Sequence, residues 1–322
     1  MPAEVQMFIS VDRIAEAYKV IDPVFLNTPQ YECRPMSEQL GMTLVLKVET
    51  LNPIRSFKGR GTDFLLHTLG PQPKGLVCAS AGNFGQGMAY AARERNTPVT
   101  VFAATNANPM KIARMRALGA EVVLEGDYNG AKAAAVRHAE KTGAMFVEDG
   151  ALPPIAEGAG TIALELTGMQ HRLDAVLVPL GDGALVNGIG AWMREKSPGT
   201  MVIGVVAEGA PAMDLSFRAG HSVATAGTST IADGIAVSRP IESSVQQLKD
   251  RVDDIVRVSD DQTIDAMRML MLDAGVIAEP AGAVGLAAAK KMGSDLGGQT
   301  VAVIVTGGNI TADQIGSWLM AM

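Results

Sequence analysis

The chain has 322 residues, 48% hydrophobic and 19% charged, with a formal net charge of −7. That balance describes an ordered globular protein with length for about two domains of roughly 100–200 residues, and it excludes a disordered chain. The negative charge and the lack of a basic run argue against a nucleic-acid partner, and no uninterrupted apolar stretch reaches the ~18 residues of a membrane span.

The first stretch, MPAEVQMFISVDRIAEAY, has no basic region followed by an apolar one and does not read as a signal peptide. Cys33 and Cys78 stand far apart and outside any CxxC pairing, so neither a disulfide framework nor a zinc site follows, and a reducing cytosol is the plain inference. The apolar run TLVLKVE (43–49) and the turn signal Asn52-Pro53 lead into SFKGRG, where Lys58 opens a helical segment ending FLLHTLG. A lysine at a turn is ordinarily a solvated charge; a reactive amine is the alternative.

From residue 75 the pattern alternates. GLVCAS (75–80), VTVFAA (99–104), EVVLE (121–125) and AMFVED (144–149) read as strands, each of the first three followed by a helical stretch. After a Pro-rich turn at Leu152-Pro153-Pro154, DAVLVPL (174–180) and MVIGVVAE (201–208) resume the alternation. The last third adds DDIVRVSD, the helices DDQTIDAMRMLMLDAG and EPAGAVGLAAAKK, then VAVIVTGGNI and a final helix, leaving no room for an appended regulatory domain. Such alternation predicts an α/β fold with parallel sheets, residues 75–152 forming a small domain set within a larger one made of 1–74 and 153–322. The four histidines, at 67, 138, 171 and 221, form no metal-ligand spacing.

Ligands of parallel sheets gather where strands give way to helices. Four such turns are rich in small or polar residues: SAGN (80–83), GDGA (181–184), AEG (207–209) and TGGN (306–309). GDGALVNG places Gly181, Gly183 and Gly188 where backbone N–H groups and a helix N-terminus can hold an anion. It is neither a dinucleotide fingerprint, which would need glycine in place of Val186, nor a Walker loop, and a flexible strand–helix turn explains it equally. SAGN offers amides to a carboxylate, with Asn83 as a neutral hydrogen-bond handle; a helix cap is the plainer reading. No GxSxG surrounds Ser80, and no histidine completes a serine triad. Thr306 follows a strand expected to be buried, so its hydroxyl needs either a backbone carbonyl or a ligand's ring nitrogen. An amine, an anion cradle, an amide loop and a neutral hydroxyl together suit one cofactor, pyridoxal phosphate, with its aldehyde, phosphate and ring nitrogen.

SFKGRG, SAGNFGQG, GDGAL, TIADGIAV (230–237), EPAGAVGLAA (279–288) and TGGN resemble, in order, the motifs of fold type II pyridoxal-phosphate enzymes, whose fold is that of tryptophan synthase beta. The nearest resemblance is to the serine/threonine dehydratase and serine racemase group. It implies two open parallel-sheet domains with the active site between them, and a homodimer. It implies that Lys58 is the Schiff-base lysine and moves the Cα proton. Asn83 would bond the cofactor's 3′-oxygen, the backbone of Gly181, Asp182, Gly183, Ala184 and Leu185 the phosphate, and Thr306 the pyridine nitrogen. Ser80, Ala81, Gly82 and Asn83 would hold the substrate carboxylate. The ring would stay largely neutral, which suits β-elimination rather than transamination.

The departures from the group's pattern are specific. Asp182 and Ala184 replace two glycines of the phosphate turn, and an aspartate there repels phosphate unless its side chain points away. Ala81 stands where racemases carry a serine base, Phe84 where a histidine is common, and Arg55 where a glycine is common. Arg55 reads as a solvated charge or as a partner for an anionic substrate side chain such as that of 3-hydroxyaspartate. Glu208, the carbonyl of Ala212 and Asp214 resemble the group's divalent-cation site and have oxygen ligands suited to magnesium or calcium; an acidic surface loop is the alternative. The expected activity is an ammonia-lyase, or dehydratase, acting on a β-hydroxy amino acid. The rivals are a threonine- or cysteine-synthase-like β-replacement enzyme, a racemase, and a non-catalytic cofactor carrier.

Overall fold

A computed structural model describes residues 8–69 and 74–320. The start of the N-terminal stretch and the last residue of FLLHTLG lie outside them. The chain opens with helix α1 (Val11–Val20), strand β1 (Gln30–Glu32), helix α2 (Arg34–Leu40) and strand β2 (Thr43–Val48), and α3 (Lys58–Thr68) begins at the lysine itself. Strict alternation follows: β3 (Leu76–Ala79), α4 (Asn83–Glu94), β4 (Val99–Ala103), α5 (Pro109–Ala117), β5 (Glu121–Leu124), α6 (Tyr128–Thr142) and β6 (Met145–Val147). Then come α7 (Pro153–Thr167), β7 (Ala175–Pro179), α8 (Ala184–Lys196), β8 (Met201–Ala207), α9 (Ala212–Ala219) and α10 (Glu242–Leu248). The rest is β9 (Asp254–Val258), α11 (Asp260–Ala274), α12 (Pro280–Lys291) and β10 (Thr300–Val305). The expected final helix is a short turn, Ala312–Gln314, running into a wider one, Ile315–Met320.

The strands form two sheets, β1-β2-β10-β7-β8-β9 and β5-β4-β3-β6. Every pairing is parallel except the edge pair β1–β2, which is antiparallel. This is the mixed α/β architecture the alternation predicts. Two strands sit where the winding reverses. β3 lies between β4 and β6, and β7 between β8 and β10, so the turns after β3 and β7 open into crevices rather than onto a covering helix.

The prolines at 153 and 154 do not make a separate turn. They start α7, where a missing N–H costs nothing. α7 packs against α3 and α8 almost backbone to backbone. A Cβ on Gly158 would come 2.4 Å from the Arg60 carbonyl, and one on Gly188 would come 2.0 Å from that of Ala156. Through this layer runs a buried ion cluster. The guanidinium of Arg60, fully buried, donates to Glu49 (2.8 and 2.9 Å), Glu165 (2.6 and 3.1 Å) and Thr161 (2.9 Å), and Lys47 pairs with Glu165 as well. Burial alone opposes ionisation of Glu165, yet the Arg60 and Lys47 contacts hold its carboxyl below the ordinary range. Removing one member of such a cluster strands the others and costs about 3–5 kcal/mol. The cluster thus fixes the seat of α3, whose first residue is Lys58.

Candidate active site

The loop between β2 and α3 is shaped by one side chain. Asn52 donates to the carbonyls of Glu49 (2.9 Å) and Ser56 (3.1 Å) and accepts from the amides of Ile54 and Ser56 (both 3.2 Å). The loop is then stitched to the turn after β10. Ser56 bridges Gly307, the Phe57 amide donates to the Thr306 carbonyl (3.1 Å), and the Gly308 amide donates to the Arg55 carbonyl (2.9 Å). Lys58 therefore emerges in the cleft between the sheets. Its Nζ pairs with Asp149, just past β6, and lies 4.9 Å from the centroid of the Phe57 ring and 5.8 Å from that of Phe84. The lysine and the aspartate keep only 15% and 16% of their side-chain surface in solvent. The amine is not a solvated surface charge.

Ahead of α8 the backbone is free to take an anion. The Leu180 amide is the last one used by the sheet (Val205 carbonyl, 2.8 Å) and the Asn187 amide the first used by the helix (Gly183 carbonyl, 2.9 Å). Among the described residues, the amides of 181–186 between them have no main-chain acceptor. Gly183 adopts φ +97°, and a Cβ there would come 2.1 Å from Ser244 Oγ, which itself donates to the Asp182 carbonyl (2.6 Å). These features fit a phosphate. The Asp182 side chain stands beside Gly150, where an added Cβ would come 2.7 Å from its own. Burial, and next the Asp149 charge, push the Asp182 carboxyl up to about 7, so part of its charge is suppressed near neutrality.

At the N-terminus of α4, Asn83 donates to Glu279 Oε1 (2.5 Å) and accepts from Asn309 Nδ2 (2.7 Å). Asn309 also donates to the Ile54 carbonyl (2.8 Å) and accepts from Arg114 Nη1. Burial raises the Glu279 carboxyl above its ordinary range, and the Lys111 charge opposes that only in part. Lys111 Nζ lies 2.7 Å from Asp233 and 4.0 Å from Glu279. In the turn SAGN two amides are engaged, that of Ser80 with the Phe102 carbonyl (2.9 Å) and that of Gly82 with Ser80 Oγ (3.2 Å). The amides of Ala81 and Asn83 have no such partner among the described residues. Thr306 is buried, with its hydroxyl 3.4 Å from the Ala281 carbonyl, a long contact compatible with a second partner.

The cation expected at Glu208, Ala212 and Asp214 is not supported. Asp214 lies 2.6 Å from Arg257 and 2.8 Å from Arg218, so two guanidiniums take the place of an ion. The Ala212 carbonyl accepts from Ser216 Oγ (2.6 Å), and Glu208 is exposed and faces Lys291 at 3.7 Å. These oxygens do not fit a cation site. Among the described residues no group of three or more His, Cys, Asp or Glu could hold a metal ion.

Several residues here escaped the sequence reading. Glu279 and Asn309 lie inside quoted motifs, but neither residue's type announced a role. Asp149 closes a strand in AMFVED, and the rule that ligands meet strand ends would have found it. Two carboxylate oxygens in the site, Asp149 Oδ1 and Glu279 Oε2, are buried with no hydrogen-bond partner, as a site awaiting a polar ligand would have them.

The family described as pyridoxal-phosphate dependent enzyme matches residues 21–307. The L-threonine ammonia-lyase of Thermotoga maritima is 38% identical over 310 residues, covering 95% of this chain and 77% of that protein. Among solved structures, a T.th. threonine deaminase superposes with a TM-score of 0.89 at 35% identity, over 94% of this chain and 99% of that one. Maize serine racemase superposes with a TM-score of 0.90 at 27% identity, over 97% and 96% of the two chains.

Proposed function

The chain belongs to the family of pyridoxal-phosphate dependent enzymes, and from that premise we propose an ammonia-lyase that converts a β-hydroxy amino acid to a 2-oxo acid and ammonia by β-elimination. The observation that carries this reading is the meeting, in one cleft, of the Lys58 amine, the unpaired amides ahead of α8 and the Asn83 side chain. When bound, pyridoxal phosphate supplies an aldehyde for an amine and a ring that draws off the electrons of a Cα–H bond.

The residues divide the work. The amides of Gly181, Asp182, Gly183, Ala184 and Leu185 hold the phosphate at the positive end of α8. Asn83 would bond the 3′-oxygen, and Thr306 would offer a hydroxyl to the ring nitrogen. A hydroxyl is far too weak an acid to protonate that nitrogen, so a bound ring would stay largely neutral, a setting suited to elimination. The turn from Ser80 to Asn83 receives the substrate carboxylate, chiefly through the amides of Ala81 and Asn83. Lys58 would be the base that takes the Cα proton, and the β-hydroxyl, on gaining a proton, would leave as water. Asp149 pairs with the free lysine amine and would orient it for the aldehyde.

The same reading treats 75–152 as a small domain against 1–74 with 153–322, and the protein as a cytoplasmic homodimer. Two free, buried cysteines suit a reducing compartment, and no described helix is long and apolar enough to cross a membrane. The homodimer rests on the resemblance alone.

The test is a panel of serine, threonine, 3-hydroxyaspartate and 3-phenylserine in separated stereoisomers, with purified holoenzyme. The expected result is equimolar 2-oxo acid and ammonia from at least one of them. Cofactor spectral changes with no oxo acid would overturn the lyase and point to a synthase or a racemase.

A further inference from the structure

We propose that Arg55 and Arg114 form a subsite for an anionic group on the substrate's β-carbon, so that the preferred β-hydroxy amino acid carries a second carboxylate. The inference rests on the lyase reading above and narrows its substrate class.

Arg55 adopts φ +52°, a left-handed conformation that strains a residue with a side chain. The strain is held from both sides, since its amide donates to the Asn52 carbonyl (3.0 Å) and its carbonyl accepts from Gly308 (2.9 Å). The result is an exposed guanidinium at the cleft, with no hydrogen bond or ion pair among the described residues. Arg114 comes from α5, which packs on the other sheet, and reaches across to Asn309. Asn309 also donates to the carbonyl of Ile54, the residue before Arg55, which brings the two arginines to one corner of the cleft. Burial first, and then the Arg55 charge, lower the Arg114 guanidinium below its ordinary range.

Among the described residues neither guanidinium forms an ion pair, and the Glu279 charge offsets the Arg114 position only in part. Asp233 is engaged by Lys111, and Glu279 is bonded by Asn83 and pushed toward its neutral form. Among the described residues Lys111 faces both Asp233 and Glu279, which leaves Arg55 and Arg114 without a carboxylate of their own. An anion shared by the two would remove the repulsion and gain charge-assisted bonds from both. The substrate's α-carboxylate already has the turn from Ser80 to Asn83, whereas Asn309 touches both Arg114 and Asn83 and so puts the cationic pair one residue from it.

The probe is 3-hydroxyaspartate, compared with serine and threonine by kcat/KM in the holoenzyme and in Arg55→Ala, Arg114→Ala and Arg114→Lys. The expected result is a preference for one stereoisomer of 3-hydroxyaspartate. Its ratio to serine should fall about 10- to 100-fold in each alanine variant and recover in part with lysine. A ratio unchanged in both variants would overturn the proposal. So would an equal loss on all substrates, which would assign the arginines to the α-carboxylate. A second readout needs no turnover. Aspartate, which has the second carboxylate but no leaving hydroxyl, should perturb the bound cofactor's absorbance at lower concentration than alanine does, and Arg114→Ala should abolish the difference. Failure of all turnover would sink the lyase reading, and the aspartate–alanine comparison would still decide the subsite.

Discussion

Asp182 occupies the turn proposed to hold the cofactor phosphate, and its own carboxyl is pushed up to about 7 by burial and the neighbouring Asp149. In the unfolded chain the same group titrates near the ordinary value of about 4. Between those two values the folded protein holds a proton that the unfolded one has lost. Its contribution to stability is therefore complete at low pH and disappears as pH rises through about 7. Asp182→Asn keeps the shape without the titration. Its thermal midpoint, relative to the parent protein, should rise between about pH 5 and about pH 8; a constant difference would contradict the shift. At this scale the sequence was informative where a residue type is chemically singular. Lys58, Asn83 and Thr306 were singled out from motifs and lie along the cleft, and the expectation that Asp182 turns away fits its place against Gly150. Asp149 and Arg114 were not found, because an acid after a strand and a base on a helix are ordinary until the fold brings them to the cleft.

Among elements, the strands of the two parallel sheets were legible because buried parallel strands are apolar runs ended by turn residues. α7 was not. It is buried nearly all round, so its sequence PPIAEGAGTIALELT has no polar face to mark a helical period, and its prolines suggested a turn instead. β1 was missed as a three-residue edge strand with polar side chains. The metal expectation lost its support between elements: Asp214 on α9 meets Arg257, which alternation places on β9, and no spacing within the AEGAPAMD stretch could reveal a partner 43 residues away. A guanidinium pair already neutralises Asp214, so chelation should not matter. Exhaustive treatment of the holoenzyme with EDTA is expected to change kcat/KM by less than about twofold, and a larger loss restored by magnesium would contradict this reading.

For the whole molecule, function follows from where two reversals of winding face each other. The turn after β3 brings Asn83, and the turn after β7 brings the amides ahead of α8. The turn after β10 ties down the loop that carries Lys58, while the buried Arg60 cluster holds α3 from the other side. The ordered motifs along the chain reflect this convergence. Their meeting in space could not be read from any one of them, since it depends on strand order. The central claim is that the amine so positioned is the one that carries the cofactor. Borohydride reduction of the holoenzyme fixes pyridoxal phosphate to whichever lysine holds it, and digestion with mass mapping identifies the site. The account predicts the added mass on the peptide containing Lys58 and its disappearance in Lys58→Ala. Label on any other lysine, or full labelling in the variant, would contradict it.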